Sequence, residues 1–279
     1  MIYHYSDSST LIKILESKVL WLSDILKMND PGEYTAGFEI VKSVFNQEFP
    51  KHIDWLERNH FLGIDKKSLI LSCSFSKHKD DLGQWRAYGD DGKGVAIGFD
   101  PEIIKESNTI EMPMGLVRGI EKRSSVIFYD VIYSQESLKS QAEKVVREFS
   151  YQSNMNFQNS FNSDDYILAL NLSRLACLYK TSFYIREGEV RCMAEINKNI
   201  DVHTEPNLKK HLAFDVKFRS GKYGITPYTE LNLCIENKTS MLEIILGPNN
   251  TEKPEDIEFM LGVLGYTRVK VSKSNGLYR

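Results

Sequence analysis

Short apolar runs alternate with amphipathic stretches along the chain, and no run recurs at a fixed period. Ile2-Tyr3-His4-Tyr5 predicts a first strand, and Ser6 to Ser9 supply cap residues for a helix from about Thr10 to Ser17. Leu11, Ile14 and Leu15 form that helix's apolar face. Val19-Leu20-Trp21-Leu22 predicts a second strand. Asn29-Asp30-Pro31-Gly32 is turn chemistry, with Asn29 or Asp30 placed to cap a helix from Glu33 to about Phe49. Phe38, Val41 and Phe45 run down one side of that helix, and a polar helical piece, Ile53 to Phe61, follows it.

The stretch from Leu69 to Asp100 is the most organised part of the chain. Leu69 to Ser76 and Gly94 to Phe99 read as strands, because each is a short apolar run bounded by turn residues. Between them, Asp80-Asp81 starts a short helix that carries Trp85, Arg86 and Tyr88. The segment Gly89-Asp90-Asp91-Gly92-Lys93-Gly94 then turns the chain back. Strand, helix, turn and strand in this order bring Ser74, Ser76, Trp85, Arg86 and Tyr88 towards one strand end, where loops carry function. Trp85 and Tyr88 are three apart, so they also fit a plain core-facing helix stripe.

Later segments are less regular. Glu102 to Lys122 is mixed and predicts a short helix within an excursion, and Ser125 to Tyr133 alternates like a strand. Two helices are expected between Gln135 and Tyr184, separated by a loop over Tyr151 to Ser163. The second, Asp164 to Thr181, carries Ile167, Leu168, Leu172, Leu175 and Leu178 at helical spacing behind the cap signal Asn162-Ser163-Asp164-Asp165. Further strands are expected at Val190 to Ala194, Phe214 to Phe218, Leu242 to Leu246 and Thr267 to Val271. A turn falls at Gly221-Lys222-Tyr223-Gly224, and a helix at Pro254 to Leu264. This order lacks βαβ regularity and predicts one α+β domain over residues 1–279. Its sheet is twisted and mostly antiparallel, with a helical insertion at roughly 135–182.

Composition narrows the classes. The chain has 279 residues, 42% of them hydrophobic, enough for a real core. A net charge of −3 gives no global basic field to steer it towards nucleic acid or membrane. No stretch approaches the ~20 apolar residues of a membrane span, and MIYHYSDSS is no secretory signal. Cys73, Cys177, Cys192 and Cys234 sit in apolar runs without a CxxC pair, which predicts reduced, buried thiols and no metal role. A cytoplasmic location follows as the expectation.

Two places carry candidate chemistry. His4, between two tyrosines on a strand, can hydrogen-bond a ligand hydroxyl or phosphate, or be a satisfied structural histidine. In Glu187-Gly188-Glu189-Val190-Arg191, alternate positions on a strand place Glu187, Glu189 and Arg191 on one face. Two adjacent carboxylates repel, so one is expected to keep its proton near neutrality unless Arg191 neutralises it. That suits a general acid or base, or a group that stabilises an oxocarbenium-like centre, and it equally describes a solvated ion pair. The sequence has no phosphate loop, HExxH motif or nucleophile elbow. Leu246-Gly247-Pro248 offers only a weak phosphate-binding signal at a helix start.

Together, Tyr3-His4-Tyr5, Trp21-Leu22-Ser23, Asn29-Asp30-Pro31 with Glu33, Cys73-Ser74-Phe75-Ser76, Trp85-Arg86-Ala87-Tyr88, Tyr179-Lys180, Glu187-x-Glu189-x-Arg191 and the terminal Tyr278-Arg279 resemble a bacterial family of unknown function, DUF2971. The chain also bears a weaker resemblance to ADP-ribosyltransferases. Those folds open with a strand bearing His or Arg, use a Ser-rich strand and an aromatic, and place a late Glu at the reaction centre. That resemblance implies an ADP-ribosyltransferase-like fold and an NAD-consuming transferase or glycohydrolase, as a toxin or anti-phage effector. NAD would be its substrate, and a protein or nucleic acid its acceptor. It implies His4, Glu187 and Glu189 as catalytic residues, and Tyr5, Ser74, Ser76, Trp85, Arg86, Tyr88 and Arg191 as cofactor-binding residues. Two other readings stand beside it: an RNA-directed phosphotransferase or nuclease, and a nucleotide-binding sensor without catalysis.

Overall fold

Along Ser68–Ser76, from Ser72 onward, serines alternate with apolar residues, and the sheet separates the two faces. The computed structural model describes residues 1–27, 32–60, 68–113, 120–152, 157, 164–197, 215–221 and 224–276. In chain order its elements are β1 (Ile2–Ser6), α1 (Ser8–Ser17), β2 (Val19–Asp24), α2 (Gly32–Glu48), α3 (Ile53–Asn59), β3 (Ser68–Ser76), α4 (Leu82–Tyr88), β4 (Val95–Phe99), α5 (Pro101–Ser107), β5 (Thr109–Pro113), β6 (Ile120–Ser124), β7 (Ile127–Asp130), α6 (Gln135–Gln152), α7 (Asp164–Ala176), β8 (Glu189–Asn197), β9 (Lys217–Gly221), β10 (Gly224–Asn232), β11 (Cys234–Ile235), β12 (Lys238–Thr239), β13 (Met241–Leu246), α8 (Pro254–Val263) and β14 (Lys270–Lys273). The expected turn at Asn29-Asp30-Pro31, the cap at Asn162-Ser163, the strand start at Phe214, the turn residues Lys222-Tyr223 and the terminal Tyr278-Arg279 lie outside the described residues.

Ten strands form one sheet in the order β14-β13-β4-β1-β3-β2-β10-β9, with β8 pairing both β3 and β7. Every pairing in it is antiparallel except β13 with β14. The sheet forks at β3. One edge of β3 pairs with β8 along its whole length, from Ser68↔Asn197 to Ser76↔Glu189. The other edge is shared: β1 meets it at Tyr3↔Ser76, and β2 at Ser23↔Ser72 and Asp24↔Leu71. Between those contacts β1 and β2 part, and Ser74 lies at the parting.

Side chains directly opposite each other on paired strands share a face. One face carries Leu22, Leu71, Cys73, Phe75, Ile97, Val190 and Cys192, packed under α1, α5 and α8 through Leu11, Leu15, Ile104 and Leu261. The other carries Ile70 and Met193 at one end, packed against α2, α3, α6 and α7 through Phe38, Phe45, Leu56, Leu138 and Leu172. Tyr3, Tyr5, Trp85, Ala96 and Ile245 make a small aromatic cluster further along. The helices of the expected insertion, α6 and α7, pack with α2 and α3 in the cluster that holds Ile70 and Met193. Among the described residues, no helix is long and apolar enough to cross a membrane.

Some boundaries differ from expectation. α7 ends at Ala176, not Thr181, because Tyr179 makes a parallel bridge with Ile132 and pulls the chain out of helical register. The Arg191 guanidinium takes up the Cys177 carbonyl just past that end, where a cation is favoured. The strand expected over Ser125 to Tyr133 shrinks to β7, and the excursion before it contains α5 and the β5–β6 hairpin. The last strand starts at Lys270, not Thr267. β10 lacked a sequence signal, since Pro227 interrupts it.

Candidate functional site

The parting of β1 and β2 opens into a cavity of about 430 Å³. Its floor is β3 from Ser72 to Ser76, with Glu189 and Arg191 of β8 alongside. Its walls are Glu33 and Tyr34 in the first turn of α2, Cys177 and Lys180 after α7, Tyr88 of α4 and Glu187. Ser72, Ser74 and Ser76 alternate along β3, so their hydroxyls stand on the cavity side while Cys73 and Phe75 fill the opposite core.

Five charges interlock around Glu189. Glu189 is 7% exposed and accepts four hydrogen bonds. Its Oε1 takes Ser74 Oγ at 2.6 Å and Arg191 Nε at 2.8 Å, and its Oε2 takes Arg191 Nη2 at 3.2 Å and Lys180 Nζ at 3.3 Å. Lys180 also reaches Glu187 Oε2 at 2.5 Å and Glu33 Oε1 at 3.4 Å, and Arg191 donates to Glu33 Oε2 at 2.7 Å. Three carboxylates and two cations leave one negative charge in the cluster. Burial pushes the Glu189 carboxyl up, but the Arg191 charge and hydrogen bond, then Lys180 and Ser74, outweigh it and hold the pKa down to about 2. Burial opposes the charge on Lys180 and Arg191 too, yet Glu189 and its neighbours raise both pKa values. Glu189 is therefore ionised, and the expectation that carboxylate repulsion would protonate one of the pair gives way for it, because both Arg191 and Lys180 face it.

Glu187 is not on the strand. It ends a turn of 3-10 helix, Ser182–Glu187, and Gly188 follows at φ +52 before β8 begins. A Cβ at Gly188 would lie 2.7 Å from His78 Nε2, so both the backbone angle and the space call for glycine. This kink swings Glu187 outward while Lys180 holds it beside Glu189. Tyr88 donates to Glu187 Oε1 at 3.3 Å. Burial, then the Glu187 charge, lift the Tyr88 phenol to about 12, which keeps it a neutral donor.

The other expected residues divide. Ser76 Oγ donates to the Glu187 carbonyl at 2.7 Å and fixes the kink. Tyr5 borders the cavity, and its hydroxyl donates to the His78 carbonyl at 2.9 Å. His4 borders the cavity from the gap between β1 and β2, out of phase with Tyr3 and Tyr5. Its Nδ1 donates to the Ser74 carbonyl at 3.1 Å, its ring packs edge-on against Phe75, and burial lowers its pKa, so Nε2 is left as an acceptor. Trp85 and Arg86 do not line the cavity. Helical phase turns Trp85 into the cluster with Tyr3 and Tyr5, where Nε1 donates to Asp80 at 2.6 Å, and leaves Arg86 on the exposed side.

Glu33, Lys180, Tyr133, Trp21 and Arg219 were absent from the expected set. Tyr133 accepts the Glu189 backbone N–H at 2.8 Å, and Trp21 and Arg219 border the far end of the cavity. Glu33, Lys180 and Trp21 stood inside the motifs that carry the family resemblance, the signal that could have recruited them. Arg219 had none. Among the described residues, no three His, Cys, Asp or Glu side chains are placed to hold one metal ion.

No curated protein and no solved structure matches the chain. A family model described as "Protein of unknown function (DUF2971)" matches residues 84–192, the stretch that carries Tyr88, Lys180, Glu187, Glu189 and Arg191, and over this stretch the chain is similar to that family.

Proposed function

We propose that the cavity binds a dinucleotide of the NAD class and that the protein breaks its nicotinamide–ribose bond. The observation that carries this reading is Glu189, a carboxylate held ionised on the cavity floor by Ser74 and Arg191. A fixed negative charge in a partly dry cleft favours positive charge developing at a ribosyl carbon. The cavity volume is in the range of small-molecule sites, and Tyr88 and Trp21 offer aromatic surface at its two ends.

In the proposed step the C1′–N1 bond breaks heterolytically. Its electron pair moves to the nicotinamide ring nitrogen and cancels the ring's positive charge, while C1′ becomes cationic above Glu189. Water or an acceptor hydroxyl then adds to C1′ and gives its proton to Glu187 at the cavity wall. His4, neutral and with Nε2 free to accept, fits a ribose hydroxyl.

A second reading, nucleotide binding without catalysis, is favoured by the same four donors on Glu189, since a carboxylate so fully paired also serves as a buried brace. Incubating the purified protein with NAD and separating nicotinamide by chromatography decides between them. The transferase reading expects nicotinamide to accumulate in proportion to enzyme. NAD that binds but stays intact with water, protein and RNA acceptors overturns it and leaves the binding role.

A further inference from the structure

We infer that the end of the cavity away from Glu189 is a phosphate subsite, built by Arg219, Ser72 and Ser23, for the phosphate esters of the bound nucleotide. This rests on the reading of the cavity as a nucleotide site. The other two cavity cations described above, Lys180 and Arg191, are taken up by three carboxylates, and neighbouring Lys217 pairs with Glu230 at 2.6 Å. Arg219 instead has a hydroxyl partner, donating from Nη2 to Ser23 Oγ at 3.2 Å. Its guanidinium lies 5.7 Å over the Trp21 ring, and its buried Nε has no hydrogen-bond partner among the described residues.

Ser72 supplies the independent observation. It is 1% exposed, borders the cavity, and its Oγ is also buried without a partner among the described residues. A buried hydroxyl and a buried guanidinium N–H are costly to leave unpaired. The β2–β3 register sets Ser23 directly opposite Ser72, and the β9–β10 register sets Arg219 opposite Thr226, which also borders the cavity. Three strands, β2, β3 and β9, thus bring two hydroxyls and a planar guanidinium to one part of the cavity wall. That donor set matches the oxygens of a phosphate ester.

Spacing along β3 agrees. Ser72 and Ser74 are two residues apart on one face, roughly 7 Å. A phosphate at Ser72 therefore stands about one sugar away from the carboxylate that Ser74 holds. Arg219 acts here as a positioning residue for the substrate's phosphate and not on the bond that breaks.

The test is calorimetric binding of ADP-ribose and of inorganic pyrophosphate to wild-type protein and to the Arg219→Gln, Arg219→Lys and Ser72→Ala variants, with melting curves to confirm folding. Arg219→Gln is expected to weaken ADP-ribose on the order of 10-fold or more and to abolish pyrophosphate binding. Arg219→Lys should recover part of the loss. Unchanged affinity in a folded Arg219→Gln variant, or no pyrophosphate or ADP-ribose binding by the wild type, overturns the subsite. Binding that depends on Arg219 in a protein that releases no nicotinamide upholds the subsite while the glycosidic reading fails. Nicotinamide release with an unaltered KM for NAD in Arg219→Gln rejects the subsite and spares that reading.

Discussion

Glu189 combines deep burial with four hydrogen bonds, and that pairing fixes what its replacement costs. Removing one partner of a buried ionic cluster leaves the others uncompensated, so Glu189→Gln should destabilise the fold by about 3–5 kcal/mol in urea denaturation. Burial of Lys180 and Arg191 around the same carboxylate is the reason for that cost. The pH dependence has a definite sign. The folded pKa is depressed from the ordinary 4.5 to about 2, so the stabilisation is fully present above about 4.5. It is lost as pH falls from 4.5 towards 2. Melting temperatures of wild type and Glu189→Gln should converge across that window, and parallel curves would show that Glu189 is not held ionised.

At the scale of elements, helix caps and close approaches carry the checkable consequences. Asp7 caps α1, its Oδ1 accepting the Thr10 N–H at 2.7 Å, so Asp7→Ala should cost about 1 kcal/mol. Gly188→Ala forces an alanine to φ +52 between the 3-10 turn and β8, a cost of roughly 1–2 kcal/mol before His78 moves aside. Because this glycine sets the angle between Glu187 and Glu189, the variant should also slow the proposed nicotinamide release out of proportion to its stability. Gly37 lets α2 lie against the Ala176 carbonyl at the end of α7, and Gly37→Ala should cost about 1–3 kcal/mol by overpacking.

Elements whose periodicity was strong were legible in the sequence: α1, β3, β4 and α8 lie within a residue or two of expectation. α7 and β14 moved at their ends because tertiary bridges, which have no local signature, decide where they stop and start. The candidate site was legible where chemistry clustered in the chain, at Ser74, Ser76, Glu187, Glu189 and Arg191. Trp85 was misleading because a buried indole and a ligand-stacking indole share the same helical spacing. Arg219 was invisible because only the β9–β10 register carries it to the cavity.

For the molecule as a whole, the fork in the sheet is the organising feature. β3 holds the two halves together through β8 on one edge, while β1 and β2 diverge on the other. A ligand in the cavity touches both halves and the first turn of α2, so binding should stabilise the entire fold. At a ligand concentration of 100 times Kd the gain is about 2.7 kcal/mol. For a chain of this size that corresponds to roughly 5–10 °C in melting temperature. Differential scanning of the protein with ADP-ribose should show this shift, and no shift at saturating concentration would show that the cavity takes some other class of molecule.

The central claim is that Glu189 stabilises a ribosyl cation and does not merely brace the fold. Its most direct test is nicotinamide release under single-turnover conditions by Glu189→Gln, measured below that variant's own melting temperature and alongside its affinity for NAD. The account predicts a loss on the order of 100-fold or more in the rate of bond cleavage with NAD affinity nearly unchanged. A variant that is folded, binds NAD and cleaves it at the wild-type rate would contradict it.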